Sequence, residues 1–277
     1  MKFSIVFLYS PDRESQFKKT LECLAGYDGF DKAEKIVCID GEGWTPKDLV
    51  VKKIDRRHNF FCWADSLNSG VLACSNEKVI YMDSDRIPPS DFFTRSLNEL
   101  EKEATSFVYP SSLFSLARDE DVETMKKIRD NPQGFKGRLI PDHRQNDPSV
   151  LHRKNAMSGC VAFCKSHFLR LGGFDNRFLG WGYPDYDFLM TAISSKSFLI
   201  PLQGAELHQK HQYSSDQREF TLHNLYNLNQ YVIKWNLKPS LVQNACKNCR
   251  VDINTLRSSR TLEHFLLKVM RKEGRSL

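Results

Sequence analysis

The sequence predicts an α/β fold with a mixed, largely parallel central sheet flanked by helices. Three observations carry that expectation. Short apolar, β-rich runs alternate with stretches of helical periodicity through the first third of the chain. Each run ends in polar, turn-forming residues, and the chain is long enough to bury one large core. The 277 residues are 40% hydrophobic and 27% charged, with 14 Gly and 11 Pro, which excludes collagen-like, disordered and coiled-coil classes.

The first strand is the apolar run Phe3–Tyr9, ending at Ser10-Pro11-Asp12-Arg13, and the spacing of Ser15–Leu24 predicts the helix that follows. Lys35–Asp40 reads as a second strand, stopped by Gly41-Glu42-Gly43, and Val50–Ile54 as a shorter third. Ala64–Ala73 is expected to be helical, with Leu67, Val71 and Leu72 on one side. Lys78–Met82 is a further strand, running directly into Asp83-Ser84-Asp85-Arg86-Ile87-Pro88-Pro89. Residues 111–156 are polar and irregular around one helix, Val122–Arg129, the kind of insertion that forms a lid. From Phe220 onward, Leu222, Leu225, Leu228, Tyr231 and Val232, then Leu262, Phe265, Leu266 and Val269, recur at helical spacing. These helices are expected to pack on the sheet, although the basic end Arg271–Arg275 also suits an anionic membrane surface.

Charge and cysteine usage narrow the function classes. Forty Lys and Arg against 34 Asp and Glu leave a net charge of +6, too small an excess for a nucleic-acid binder but compatible with phosphate-bearing ligands. Phe3–Tyr9 is too short for a signal peptide or a membrane span, so a cytoplasmic location is expected. The eight cysteines, several inside apolar runs, are read as reduced thiols. Cys246 and Cys249 have half of a zinc-site spacing, but Cys160 and Cys164 lack the tight spacing of a second half.

In a parallel sheet, ligands bind at the carboxyl ends of the strands, where Tyr9–Arg13, Asp40 and Asp83–Asp85 all fall. The chain has three Asp-x-Asp triplets, at 83–85, 119–121 and 185–187. Only the first is fed by an apolar strand, and the two-residue period of an extended chain would turn both carboxylates to one side. Two hard oxygen donors there suit Mg²⁺ or Mn²⁺ on a diphosphate. The Asp119 triplet opens a segment that is acidic at its start and basic at its end, a match to a helix dipole rather than a site.

The stretch Phe61-Cys62-Trp63-Ala64-Asp65-Ser66-Leu67-Asn68-Ser69-Gly70, followed by Val79–Pro88, resembles the nucleotide-sugar-binding half of family 2-like glycosyltransferases with the GT-A fold. Ser158–Asp187, which includes Gly172-Gly173-Phe174-Asp175 and Gly180-Trp181-Gly182-Tyr183-Pro184-Asp185, resembles the acceptor-side segment of β-1,4-galactosyltransferases, polypeptide N-acetylgalactosaminyltransferases and chondroitin-type polymerases. Together with the first strand, the resemblance covers residues 1–110 and 155–212. It implies a GT-A catalytic domain over 1–212, divided into a donor half (1–110), an insertion or acceptor loop (111–156) and an acceptor half (157–212). Residues 213–277 would be a helical extension packed on that domain.

The resemblance also implies roles. Asp83 and Asp85 would hold Mn²⁺ or Mg²⁺ on the donor diphosphate, with His208 or His211 as a third ligand. Tyr9, Ser10, Arg13, Asp40, Asn68 and Ser84 would contact the nucleotide-sugar, a UDP-sugar by preference. Trp181, Gly182 and Asp187 would contact a saccharide or lipid-linked glycan acceptor, and Asp185 would be the general base of an inverting transfer. Relatives commonly read Trp-Gly-Gly-Glu-Asp where this chain has Trp181-Gly182-Tyr183-Pro184-Asp185, so a Glu that often meets the acceptor is replaced by Pro184. Trp63 stands where galactosyltransferases carry Arg. A nucleotidyltransferase of similar design would use a strand-end Asp pair but not the Gly-Trp-Gly-x-x-Asp element, and a zinc-stabilised binding module built on the cysteines is the non-enzymatic alternative.

Overall fold

The computed structural model describes residues 2–39, 44–47, 49–53, 62–141, 159–180, 182–210 and 217–273. In chain order the elements are β1 (Ser4–Tyr9), α1 (Glu14–Leu24), β2 (Glu34–Ile39), β3 (Val50–Lys53), α2 (Trp63–Ala73), β4 (Lys78–Asp83), β5 (Arg86–Ile87) and α3 (Phe92–Lys102). They continue with β6 (Ser106–Leu116), α4 (Val122–Asp130), β7 (Leu139–Pro141), β8 (Cys160–Cys164), α5 (Lys165–Arg170), α6 (Pro184–Ser194) and β9 (Phe198–His208). Four helices close the chain: α7 (Gln217–Lys234), α8 (Ser240–Asn248), α9 (Ile253–Arg257) and α10 (Leu262–Lys272).

The chain divides into two compact units. The first comprises Met1–Asp55, Asp65–Phe174 and Phe188–Gln212; the second comprises Arg56–Ala64, Asp175–Asp187 and Tyr213–Leu277. Thus 56–64 and 175–187 group with the C-terminal segment that the sequence assigned to an extension, and the first turn of α6 belongs with them.

The first unit is built on a nine-stranded sheet in the order β3-β2-β1-β4-β8-β6-β9-β5, with β7 paired to β6. β3, β2, β1 and β4 are parallel, β8 is antiparallel to both neighbours, and β6 runs parallel to β9. Every residue of β1 is buried, as expected of a central parallel strand covered on both faces. Phe17 and Leu24 of α1, with Phe92, Phe93 and Leu97 of α3, pack with Ile5, Phe7, Ile80 and Val108 from the strands in one core. α2 packs closely on the sheet through Gly70, where an added Cβ would lie 2.5 Å from Val6 Cγ1 and 2.6 Å from Cys38 Sγ. Leu67 and Val71 are buried, but Leu72 is 60% exposed, contrary to the expected shared face.

The described part of the expected insertion, 111–141, is more ordered than its composition suggested. Ser106–Leu116 is a single long strand with a register shift between Pro110 and Ser112, a bulge that lets a strand carry the proline. The helix expected at 122–129 is present, N-capped by Asp121, whose carboxylate accepts from the Thr124 amide at 2.9 Å. Its Met125 and Ile128 pack with Cys23, Ile87, Leu116, Leu139 and Leu207 in a second small core. Positions 142–158 lie outside the described residues.

The second unit is helical. Leu222, Leu225 and Tyr226 of α7, Val242 and Cys246 of α8, Leu256 of α9, and Leu262, Phe265, Leu266 and Val269 of α10 share one apolar cluster. The amphipathic face of the last helix packs with its neighbouring helices in this cluster, because α7 to α10 present complementary stripes to one another. Among the described residues no helix is long and apolar enough to cross a membrane. None of the eight cysteines is joined in a disulfide.

Candidate functional site

A group of closely spaced charged side chains forms where β4 ends. Asp83 is the last residue of β4; its amide donates to the Gly159 carbonyl at 2.7 Å, and the Ser84 amide donates to the Leu8 carbonyl at 3.0 Å. The chain then turns rather than continuing extended, and Arg86–Ile87 pairs antiparallel with Leu207–His208 at the end of β9. That turn, not strand alternation, brings Asp83 and Asp85 to one place. The Gln209 amide donates to the Asp85 carbonyl at 3.0 Å, and Ser115, the partner of His208 on β6, brings its hydroxyl to 3.5 Å from His208 Nδ1.

The side chains form an alternating array. Asp85 Oδ2 accepts from Arg13 Nη1 and lies 3.4 Å from His208 Nε2. Asp85 Oδ1 lies 3.7 Å from Arg86 Nε, which is also 3.9 Å from Asp83 Oδ2. Arg86 Nη1 is 3.4 Å from Glu206 Oε1, and the Tyr81 hydroxyl donates to Asp83 Oδ1. Asp85 and Glu206 are each only 2% exposed. Gly159 lines this group with φ of 83°, and any Cβ there would strike the Glu206 carboxylate, so the position requires glycine on two counts.

This arrangement divides the two aspartates. Burial, and then the charge of Asp85, raises Asp83 to about 6 against the opposing pull of Arg86. Burial also works against ionised Asp85, but His208, Arg13 and Arg86 outweigh it and hold that carboxyl far below the usual carboxylate range. Asp85 is thus a fixed anion, while Asp83 is the group able to gain a proton in mildly acidic solution.

Two carboxylates and an imidazole are a donor set suited to Mn²⁺ or Mg²⁺. Two ligands at about 2.1 Å from an octahedral ion are about 3 Å apart along an edge, and the 3.4 Å between Asp85 Oδ2 and His208 Nε2 is close to that. Among the described residues no three His, Cys, Asp or Glu side chains already converge as a ligand cage, because the arginines interleave with them.

The second unit holds the other expected group. Pro184 opens α6 and Asp185 is its second residue, half-buried at the electropositive helix start, with Oδ1 accepting from the Tyr186 amide at 3.0 Å. The loop before it is left-handed at Gly180 (φ 68°), Gly182 (φ 85°) and Tyr183 (φ 72°). α7 braces that loop. Asn227, fully buried, accepts from the Leu179 amide at 3.2 Å and donates to the carbonyls of Leu179 and Gly182 at 2.8 and 2.9 Å. Gly180 packs on the His223 ring and Gly182 on the Asn224 amide so closely that neither leaves room for a Cβ.

Several expected contacts are spent elsewhere. Asp187, expected at the acceptor, is 1% exposed and accepts from Lys234 Nζ at 2.7 Å and Trp235 Nε1 at 2.8 Å; the helical start at Pro184 turns it into the helix packing. Tyr9, expected to stack on a base, is buried against Phe17 (ring centroids 4.9 Å) and the edge of Trp44. Asn68, expected at the donor, clamps Phe174 by accepting from its amide at 2.9 Å and donating to its carbonyl at 2.8 Å. Ser84 is 4% exposed, its backbone tied to Leu8 and to the Thr20 hydroxyl. Ser10 is half-buried before the single 3-10 turn Pro11–Arg13. Asp40, Trp181 and His211 lie outside the described residues.

Sequence reasoning missed Arg86, Glu206, Gly159 and Asn227. Glu206 was within reach: Glu206-Leu207-His208 on a strand puts Glu206 and His208 on one face and the fully buried Leu207 on the other.

The sequence matches the family described as Glycosyltransferase like family 2 over residues 30–220. No curated protein matches it. Among solved structures, GalNAc-T7 with UDP, GalNAc and Mn²⁺ is similar with a TM-score of 0.57 at 12% identity, over 84% of this chain and 47% of that one. TarS 1–349 from S. aureus, in complex with UDP-GlcNAc, has a TM-score of 0.54 at 14% identity, over 88% and 70%. The mannosyltransferase PcManGT from Pyrobaculum calidifontis, with GDP-Man and Mn²⁺, has a TM-score of 0.52 at 14% identity, over 99% and 76%. At such identities the likeness establishes the fold, and the chain spans about half the length of the first of these structures.

Proposed function

Because the chain belongs to the glycosyltransferase like family 2, we propose that it moves a sugar from a nucleotide-sugar, preferentially a UDP-sugar, to a hydroxyl of a saccharide or lipid-linked acceptor. The observation that carries this reading is the strand-end group Asp83, Asp85 and His208, at the carboxyl end of β4, the end of the sheet at which α/β folds bind nucleotides. Those three residues would hold Mn²⁺ or Mg²⁺, which when bound supplies charge neutralisation for a departing diphosphate. Two of the three structures above contain UDP or a UDP-sugar and one contains GDP-mannose, which supports a nucleotide-sugar donor and favours uridine.

The chain's own part in the reaction is acid–base and positional. In an inverting displacement the acceptor oxygen bonds to the anomeric carbon, the bond from that carbon to the diphosphate breaks, and the acceptor proton must go to a base. Asp185 takes that role in our reading, placed at the electropositive start of α6. Pro184, standing where relatives carry Glu, supplies a fixed helix start instead of an acceptor contact. Asp187 is withdrawn from the acceptor set because Lys234 and Trp235 already hold it.

The test is a panel of nucleotide-sugars incubated with the protein and Mn²⁺, following release of nucleoside diphosphate by slow donor hydrolysis. UDP release abolished by Asp85→Asn supports the reading. Release of sugar 1-phosphate with the nucleoside monophosphate instead would mean attack at the nucleotidyl phosphorus, the chemistry of a nucleotidyltransferase, and no diphosphate release from any donor would overturn the proposal. With an acceptor identified, Asp185→Asn should lower transfer about 10²–10⁴-fold, the usual worth of a positioned base, with donor binding unchanged. Near-normal turnover would remove Asp185 from that role.

A further inference from the structure

Asp85 carries two arginines on its two oxygens, and the two are not equivalent. Arg86, on Oδ1, is 6% exposed, lies in a strand paired to β9, and has Glu206 at 3.4 Å on its far side; it is a fixed counter-ion. Arg13, on Oδ2, is the last residue of a short 3-10 turn after β1, with its side chain 14% exposed and Asp12 at 3.9 Å as a second anion within reach. Oδ2 is also the oxygen nearest His208 Nε2. A cation shared by Asp85 and His208 must therefore use the atom to which Arg13 donates.

We propose that Arg13 and the divalent cation compete for Asp85 Oδ2, and that a nucleoside diphosphate resolves the competition by drawing the Arg13 guanidinium onto its phosphate oxygens. This rests on the metal reading of Asp83, Asp85 and His208 given above. Its physical content is an exchange of partners. A buried carboxylate without a cation is costly, so Arg13 stabilises Asp85 and thereby lowers its affinity for a metal ion. A diphosphate offers the guanidinium a bidentate anion, and releasing Oδ2 then favours the metal. Metal and nucleotide binding become mutually reinforcing, and by linkage each strengthens the other by the same factor.

The experiment is a titration of the full-length chain with Mn²⁺, reading the free ion by electron paramagnetic resonance, with and without UDP. Wild type should bind Mn²⁺ weakly alone and more tightly with UDP. Arg13→Gln should bind Mn²⁺ alone about tenfold to a hundredfold more tightly than wild type, the worth of one charge-assisted hydrogen bond, and should lose most of the UDP effect. Arg13→Lys keeps the charge without the fork and should fall between them; it serves as the test if the Gln variant fails to fold. Mn²⁺ affinity no higher in a folded Arg13 variant than in wild type overturns the competition. Asp85→Asn separates the two ideas. If it abolishes Mn²⁺ binding in the presence of UDP while the Arg13 variants leave the affinity unchanged, only the competition is wrong. If it leaves Mn²⁺ binding intact, the metal reading itself fails, and this inference with it.

Discussion

Replacing Arg86 by Met removes a cation that faces three carboxylates at once, and the structure allows the cost to be worked out. Glu206, Asp85 and Asp83 lie 3.4, 3.7 and 3.9 Å from its guanidinium nitrogens. At an effective dielectric of about 20 each attraction is about 4–5 kcal/mol gross, most of it offset by the desolvation of the buried ions. Met fills much of the same volume but leaves the carboxylates facing one another, the situation in which breaking a buried pair costs about 3–5 kcal/mol. For a chain of this size that corresponds to a melting temperature lower by about 6–20 °C, measured by circular dichroism at pH 7. The pH dependence gives a second readout. Asp83 has its folded pKa raised to about 6, chiefly by burial and then by Asp85, while Arg86 pulls it down. A carboxyl raised on folding contributes stability that is present below its unfolded value near 4 and lost as pH rises through about 6. Without Arg86 that window moves upward, so the gap between variant and wild type should narrow as the pH is lowered from 7 to 5. An Arg86→Met protein melting within about 2 °C of wild type at pH 7, or a gap that widens on acidification, would refute the electrostatic account of this site.

Other consequences are open to the same kind of measurement. Gly159→Ala forces a Cβ into the Glu206 carboxylate at a left-handed position and should destabilise by about 1–3 kcal/mol, read as a shifted urea midpoint with an unchanged slope. Asn227→Ala deletes three part-buried hydrogen bonds to Leu179 and Gly182 and should cost about 2–4 kcal/mol. Asn227→Asp, which sets a carboxylate oxygen against the Leu179 and Gly182 carbonyls, should melt no higher than that variant; equal melting of all three would rule out the brace. Burial lowers His223 to about 4, so its stabilising effect is complete above its unfolded value near 6.5 and is lost as pH falls from there through about 4. Subtracting the pH–stability profile of His223→Gln from that of wild type should isolate this loss, and the ring should titrate near 4 by proton NMR.

What could be read from the sequence follows the range of the forces involved. An apolar strand entering an acidic turn is a local pattern, so Asp83 and Asp85 were legible, and Pro184 at a first helical position was as well. Local periodicity also decides Leu72 when applied strictly. Leu67 and Val71 are four residues apart and share a helix face, whereas Leu72, a further 100° round, leaves it and is exposed. Tyr9 ends a central parallel strand covered on both faces, and its ring is buried against Phe17, a packing that the local sequence does not mark. Asp187 and Asn68 could not be read at all: their partners, Lys234 and Phe174, are 47 and 106 residues away, and nothing local marks such pairings. Arg86 is the instructive case between these extremes. It stands next to the carboxylates in sequence, yet its importance depends on Glu206 arriving from β9, and the alternation Glu206-Leu207-His208 already showed that a second anion would share the histidine's face. Two acidic strand ends and a histidine, taken alone, describe a bare cation site; adding that anion requires a resident cation beside it. A buried site with three carboxylates is stable only if arginines share it, and any divalent ion that binds there must therefore displace or accommodate one of them.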